Sequence, residues 1–152
     1  MNRTGEAVLV RWHRMLGLKQ QSPPSWYRER IREELYERRS AKTWLERLSE
    51  TSDVLFSISR ARYDGFPVRT RPSFSYRSAI PYTYMMVKYT SRWKFYQTAA
   101  LLCKSPCHRS VCEVVNPQKD KKLAEVARRH QIDPAQFRSV GGRLRKIWPL
   151  IP

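Results

Sequence analysis

No aspartate or glutamate occurs between Phe66 and Cys112, a stretch that carries eight lysines and arginines: Arg69, Arg71, Arg77, Lys88, Arg92, Lys94, Lys104 and Arg109. Nothing inside it neutralises that charge. A phosphate backbone outside the chain would, because each Lys or Arg contact releases a condensed counterion. Other absences narrow the class further. No apolar run approaches the roughly 18 residues of a membrane span, and the features of a secretory signal are missing. Three cysteines, an odd number, make no disulfide framework. Cys103, Cys107 and Cys112 are separated by three and four intervening residues rather than the two of zinc knuckles, so structural thiols are expected and no metal. The five glycines form no phosphate loop, and no paired carboxylates stand out. Cys107 and His108 adjoin on the backbone, which points their side chains apart, and no third group is evident to orient the imidazole. No catalysis, cofactor or small-molecule substrate is expected.

What is present is charge and aromatic surface. The net charge is +17 over 152 residues, and every part is positive. Residues 1–65 hold thirteen cations against nine acids, residues 66–112 eight against none, and residues 113–152 nine against four. The middle also holds nine of the eighteen aromatics, and aromatic faces can stack on bases. Surfaces tuned only for solubility intersperse both signs. Five tryptophans, eight tyrosines and 41% hydrophobic residues argue for a folded chain.

Periodicity predicts a mainly α protein: five to six helices in a small irregular body, with one extended basic-aromatic arm. The organisation reads as N-terminal helices over 1–65, the arm over 66–80 and a C-terminal helical part over 81–152, within one integrated domain. Helices are expected over residues 5–19, from Trp26 to Arg39 with Ser22 or Ser25 as cap, and from Ala41 to Tyr63. In the third, Trp44, Leu45, Leu48, Leu55 and Ile58 make the apolar stripe and Asp64-Gly65 the stop. Two prolines and the alternating run Ser73-Phe74-Ser75-Tyr76-Arg77 predict an extended form for the arm. Ser78 and Pro81 open a fourth helix to about Cys103, with Tyr89, Trp93 and Tyr96 on its core face and Lys88, Arg92 and Lys94 mostly on its outer side. Asn116-Pro117 starts a fifth helix to about His130, and Asp133-Pro134 a sixth to about Ile147. The N-terminal helix alternates Arg3, Arg11, Arg14 and Lys19 with apolar residues; it serves as a retained mitochondrial targeting helix, as an element packed on the body, or as both.

The segment from Lys122 to Pro134 resembles the helix-turn-helix of DNA-binding and transposase proteins, over about 25 residues in all. That resemblance implies that Gln136, Arg138, Arg143 and Arg145 face a groove. Gln131 stands where the family favours glycine, and Gly141-Gly142 is expected to interrupt the recognition helix. A plain helical hairpin packed on the body is the alternative.

The whole chain, small, basic, rich in tryptophan and tyrosine, helical and with an arm, resembles lineage-specific mitochondrial ribosomal proteins as a class. This implies a structural role in the mitochondrial matrix, on ribosomal RNA and neighbouring ribosomal proteins. The RNA contacts implied are Arg69, Arg71, Phe74, Tyr76, Arg77, Lys88, Arg92, Lys94, Arg109, Arg138, Arg143 and Arg145. The competing readings are a DNA-binding helix-turn-helix protein and a helical accessory subunit of a mitochondrial respiratory complex.

Overall fold

A computed structural model describes residues 3–21, 23–68 and 76–148. They form six α-helices and one 3-10 turn: α1 (Arg3–Leu16), α2 (Ser25–Ser40), α3 (Trp44–Tyr63), α4 (Tyr76–Leu102), the turn His108–Ser110, α5 (Asp120–Arg129) and α6 (Pro134–Arg145). No strand occurs among the described residues, and none of these helices is long and apolar enough to cross a membrane. The chain divides into two compact units, Met1–Met86 and Val87–Pro152, with the boundary inside α4.

In the first unit α2 and α3 pack as a hairpin. Its turn is fixed by a capping box: the Thr43 hydroxyl accepts from the Glu46 N–H at 3.1 Å, and the Glu46 carboxylate accepts from the Thr43 N–H at 3.1 Å. Of the two serines proposed as the α2 cap, Ser25 lies inside the helix rather than at the cap position. Pro24 occupies that position without a side-chain bond, and Ser22 lies outside the described residues. Gly65, at φ +85°, ends α3 as its position predicted, because the left-handed region penalises any Cβ.

The buried face of α3 shares Ile58 with the predicted apolar stripe but is otherwise shifted from it. Ser52, Val54, Ser57, Ile58, Ser59, Arg60 and Ala61 are buried, whereas Trp44 is 72% exposed and Leu45 58%. The serines carry little bulk and let α1 come close. His13 Nε2 lies 2.9 Å from the Ser59 hydroxyl, which itself donates to the Phe56 carbonyl, so His13 is the donor. Trp12 meets Phe56 edge-on at 6.0 Å between centroids. Arg60 donates to the Leu18 carbonyl and to Asp64, both at 2.7 Å, and the Tyr27 hydroxyl donates to the same carboxylate.

The arm expected over 66–80 is only partly extended. Phe66 packs on Tyr27, 4.7 Å between ring centroids, and its N–H bonds the Ala61 carbonyl at 2.8 Å. Residues 69–75 lie outside the described residues, and Tyr76 already begins α4. Pro81 therefore sits inside the helix instead of opening it. It removes one backbone hydrogen bond near the N-terminal end, which a helix of 27 residues tolerates.

In the second unit the C-terminal part of α4 packs with α5 and α6 around Phe95, Tyr96, Ala99, Leu123, Val126, Phe137 and Val140. Phe137 stacks on Tyr96 at 6.3 Å, and Trp148 meets Phe95 edge-on at 5.7 Å while its indole N–H reaches the Ser91 hydroxyl at 3.0 Å. Asp133 caps α6, its carboxylate accepting from the Gln136 N–H at 2.6 Å, with Pro134 in the first turn where no donor is lost.

Candidate nucleic-acid interface

Residues 87–152 carry fourteen lysines and arginines against four acids, a net +10. All four acids are spent inside the unit. Glu113 is buried and holds Arg129 at 2.9 Å and His130 at 3.2 Å, which ties the loop before α5 to that helix's C-terminal end. Asp120 pairs with Arg145, and Glu125 with Lys122 at 2.9 Å. Hydrogen bonds from those cations hold the Asp120 and Glu125 carboxyls below their usual range. Asp133 caps α6. Arg109, Arg128, Arg138, Arg143 and Lys146 are exposed, and none forms an ion pair with a carboxylate among the described residues.

α5 and α6 are positioned by two details. Gln131 adopts φ 56°, so a non-glycine residue takes the left-handed turn position that the helix-turn-helix comparison reserves for glycine. Gly141 and Gly142 do not break α6, which continues to Arg145. At Gly141 the reason is packing: a Cβ there would lie 2.8 Å from Leu123 Cδ1. The missing side chain lets α6 press onto α5, and the buried contact outweighs the roughly 1 kcal/mol propensity cost. Residues on the exposed side of α6 include Gln136, Arg138 and Arg143, with Lys146 exposed just past its end.

The expected contact residues divide sharply. Arg69, Arg71 and Phe74 lie outside the described residues; Tyr76 and Arg77 fall in the first turn of α4, and their side chains are outside the described set. Lys88 and Arg92 correct the expectation of a basic outer face on α4: they are 1% and 6% exposed, with Arg92 over the Tyr89 ring at 5.3 Å. Helical spacing set them opposite the aromatic stripe, but α4 is covered on more than one side. Lys94 is exposed, its ammonium 4.4 Å from the Trp93 ring centroid. Arg109 is exposed, and its carbonyl accepts from Gln97 at 3.2 Å. Arg138 and Arg143 stand free on α6, whereas Arg145 is committed to Asp120 and the Gln118 carbonyl. Sequence reading passed over Arg128 and Lys146, which the polar side of α5 and the last turn of α6 could have flagged.

The cysteines do not converge. Cys103 is buried, where desolvation raises its thiol, Cys107 is exposed and Cys112 half-buried. His130 is held by Glu113 at 3.2 Å. His108 turns Nδ1 to the Ser105 carbonyl at 3.2 Å. Among the described residues, the one cluster of metal-type ligands is Glu34, Glu50 and Asp53 in the first unit.

No family model matches the sequence, and neither the curated proteins nor the solved structures yielded a match. The functional reading rests on the residues themselves.

Proposed function

We propose that this protein is a non-catalytic RNA-binding component of a ribonucleoprotein, a mitochondrial ribosomal protein that contacts ribosomal RNA and neighbouring proteins. One observation carries the reading. The second unit spends every carboxylate on its own scaffold and still presents Arg109, Arg128, Arg138, Arg143 and Lys146 to solvent. Fixed cations without internal partners favour a polyanion, and phosphates meet that need through counterion release. The matrix assignment draws on α1, which buries Leu9, Trp12 and Leu16 and leaves Arg11 and Arg14 outside. The test is sedimentation of the native particle through a gradient with and without ribonuclease. Co-migration with a large particle that ribonuclease abolishes is the expected result; unaltered migration overturns the reading and favours a respiratory-complex subunit.

A second reading, a DNA-binding module, is favoured by the unbroken α6 and the left-handed Gln131. It requires that Arg138 and Arg143 substitutions alone abolish binding and that one DNA sequence be preferred over RNA and over other DNA.

A further inference from the structure

The face of α3 left outside by its serine-rich packing has a shape and a charge of its own. Trp44, Leu48 and Leu55 from α3 and Pro81 from α4 wall a groove of about 350 Å³, completed by Arg38, Arg47 and Thr51. All of these residues belong to the first unit. The Thr51 hydroxyl accepts from Arg38 Nε at 2.9 Å and donates to the Arg47 carbonyl at 2.6 Å. The guanidinium is therefore held at the groove with its two terminal nitrogens available to an incoming acceptor. Arg47 lines the groove, and Arg39 and Lys42, close by in sequence, are exposed. Of the two acids in residues 36–48, Glu46 has its carboxylate occupied by the Lys42 and Thr43 N–H groups, leaving Glu37 against four cations.

The chemistry narrows the occupant. A wholly apolar helix would desolvate a fixed guanidinium without pairing it, which costs more than the apolar contact returns. An acidic peptide would pair the arginines and leave the indole, 72% exposed, in water. An unpaired nucleotide satisfies both, with a flat π-face for Trp44 and a phosphate or base-edge acceptor for Arg38. We propose that this groove binds an unpaired nucleobase of RNA, stacked on Trp44 and anchored by Arg38 and Arg47. The inference rests on the RNA reading above and adds a second contact point, in the other unit and for a single-stranded element.

The test is anisotropy titration of a labelled oligouridylate and of a blunt duplex RNA with the full chain, its Trp44→Ala, Trp44→Phe and Arg38→Gln variants, and anionic phosphatidylserine vesicles as a third arm. Trp44→Ala should weaken oligouridylate binding by about tenfold, spare the duplex and leave the salt dependence unchanged, since no phosphate contact is lost. Trp44→Phe should retain most of the affinity. Arg38→Gln should lower the salt slope by about one. Trp44 is largely solvent-facing, so the melting temperature of each variant should match the parent. If Trp44→Ala binds oligouridylate as the parent does while the parent binds both RNAs, the base site is wrong and the RNA reading stands. Equal losses on single strand and duplex also overturn it, as does a Trp44→Ala loss confined to the vesicles. If the parent binds neither RNA, both proposals fall.

Discussion

Gly141 faces Leu123 so closely that a Cβ would come within 2.8 Å of Cδ1 and 3.2 Å of Cδ2. Leu123 is completely buried, with both of its terminal methyls turned to Gly141. Gly142, one residue on, meets nothing nearer than Arg145 Nη2 at 3.8 Å. Gly141→Ala is therefore expected to destabilise the second unit by about 1–3 kcal/mol through overpacking. Gly142→Ala is expected to be neutral or to stabilise by up to about 1 kcal/mol through helix propensity. Chemical denaturation of the two variants measures the contrast, and equal effects would mean that α5 and α6 are not in register as described.

His13 is buried, and desolvation first, then the charge of Arg60, lowers its pKa from the ordinary 6.5 to about 3. Between those values the unfolded chain binds a proton that the folded chain refuses. Stability therefore falls as the pH drops from about 6.5 towards 3, by on the order of 3 kcal/mol at pH 4 from this residue alone. His13→Gln, which cannot titrate, should flatten the melting temperature across that window. A parent curve with the same slope as the variant would remove His13 as the cause.

Glu34 should act in the opposite direction. Burial raises its carboxyl to about 8; Arg30 opposes this, and the acids Asp53, Glu37 and Glu50 reinforce it. The folded state holds the proton while the unfolded state releases it near 4.5, so this contribution is present below about 4.5 and lost as the pH rises through 8. Glu34→Gln should raise the melting temperature at pH 8 more than at pH 5. Thermal melts at the two pH values check it.

Lys88 and Arg92, buried as they are, should behave as structural residues. Lys88→Ala and Arg92→Ala are expected to lower the melting temperature, because a buried charge removed from its setting is costly. Among molecules that remain folded, RNA affinity should hardly change. A large loss of affinity with an unchanged melting temperature would restore them as contacts.

Much of the helical layout was legible because it depends on local chemistry. Gly65 after α3 and Asp133-Pro134 before α6 act through their own backbone preferences, whatever surrounds them. The choice of covered face was not legible. Period 3.6 places Trp44, Leu45, Leu48 and Leu55 near one another, but whether a neighbour covers them depends on where α1 docks, and α1 takes the side of Ser59. For the same reason Lys88 and Arg92 read as an outer face. Pro81 read as a helix start and Gly141-Gly142 as a break because isolated propensity disfavours both inside a helix; the length of α4 and the Leu123 contact override that locally. On the candidate interface, the resemblance to a helix-turn-helix pointed to Arg138 and Arg143, while the commitment of Arg145 to Asp120 joins positions 25 apart and needed the fold.

The most direct test of the account is the dissociation constant for a duplex RNA measured against salt concentration, for the parent chain and an Arg138→Ala/Arg143→Ala double variant. The account predicts tight binding at low salt, a steep linear fall of log affinity with log salt, and a slope about two smaller in the double variant. Binding that is absent at low salt, or a slope unchanged by losing both arginines, would contradict it.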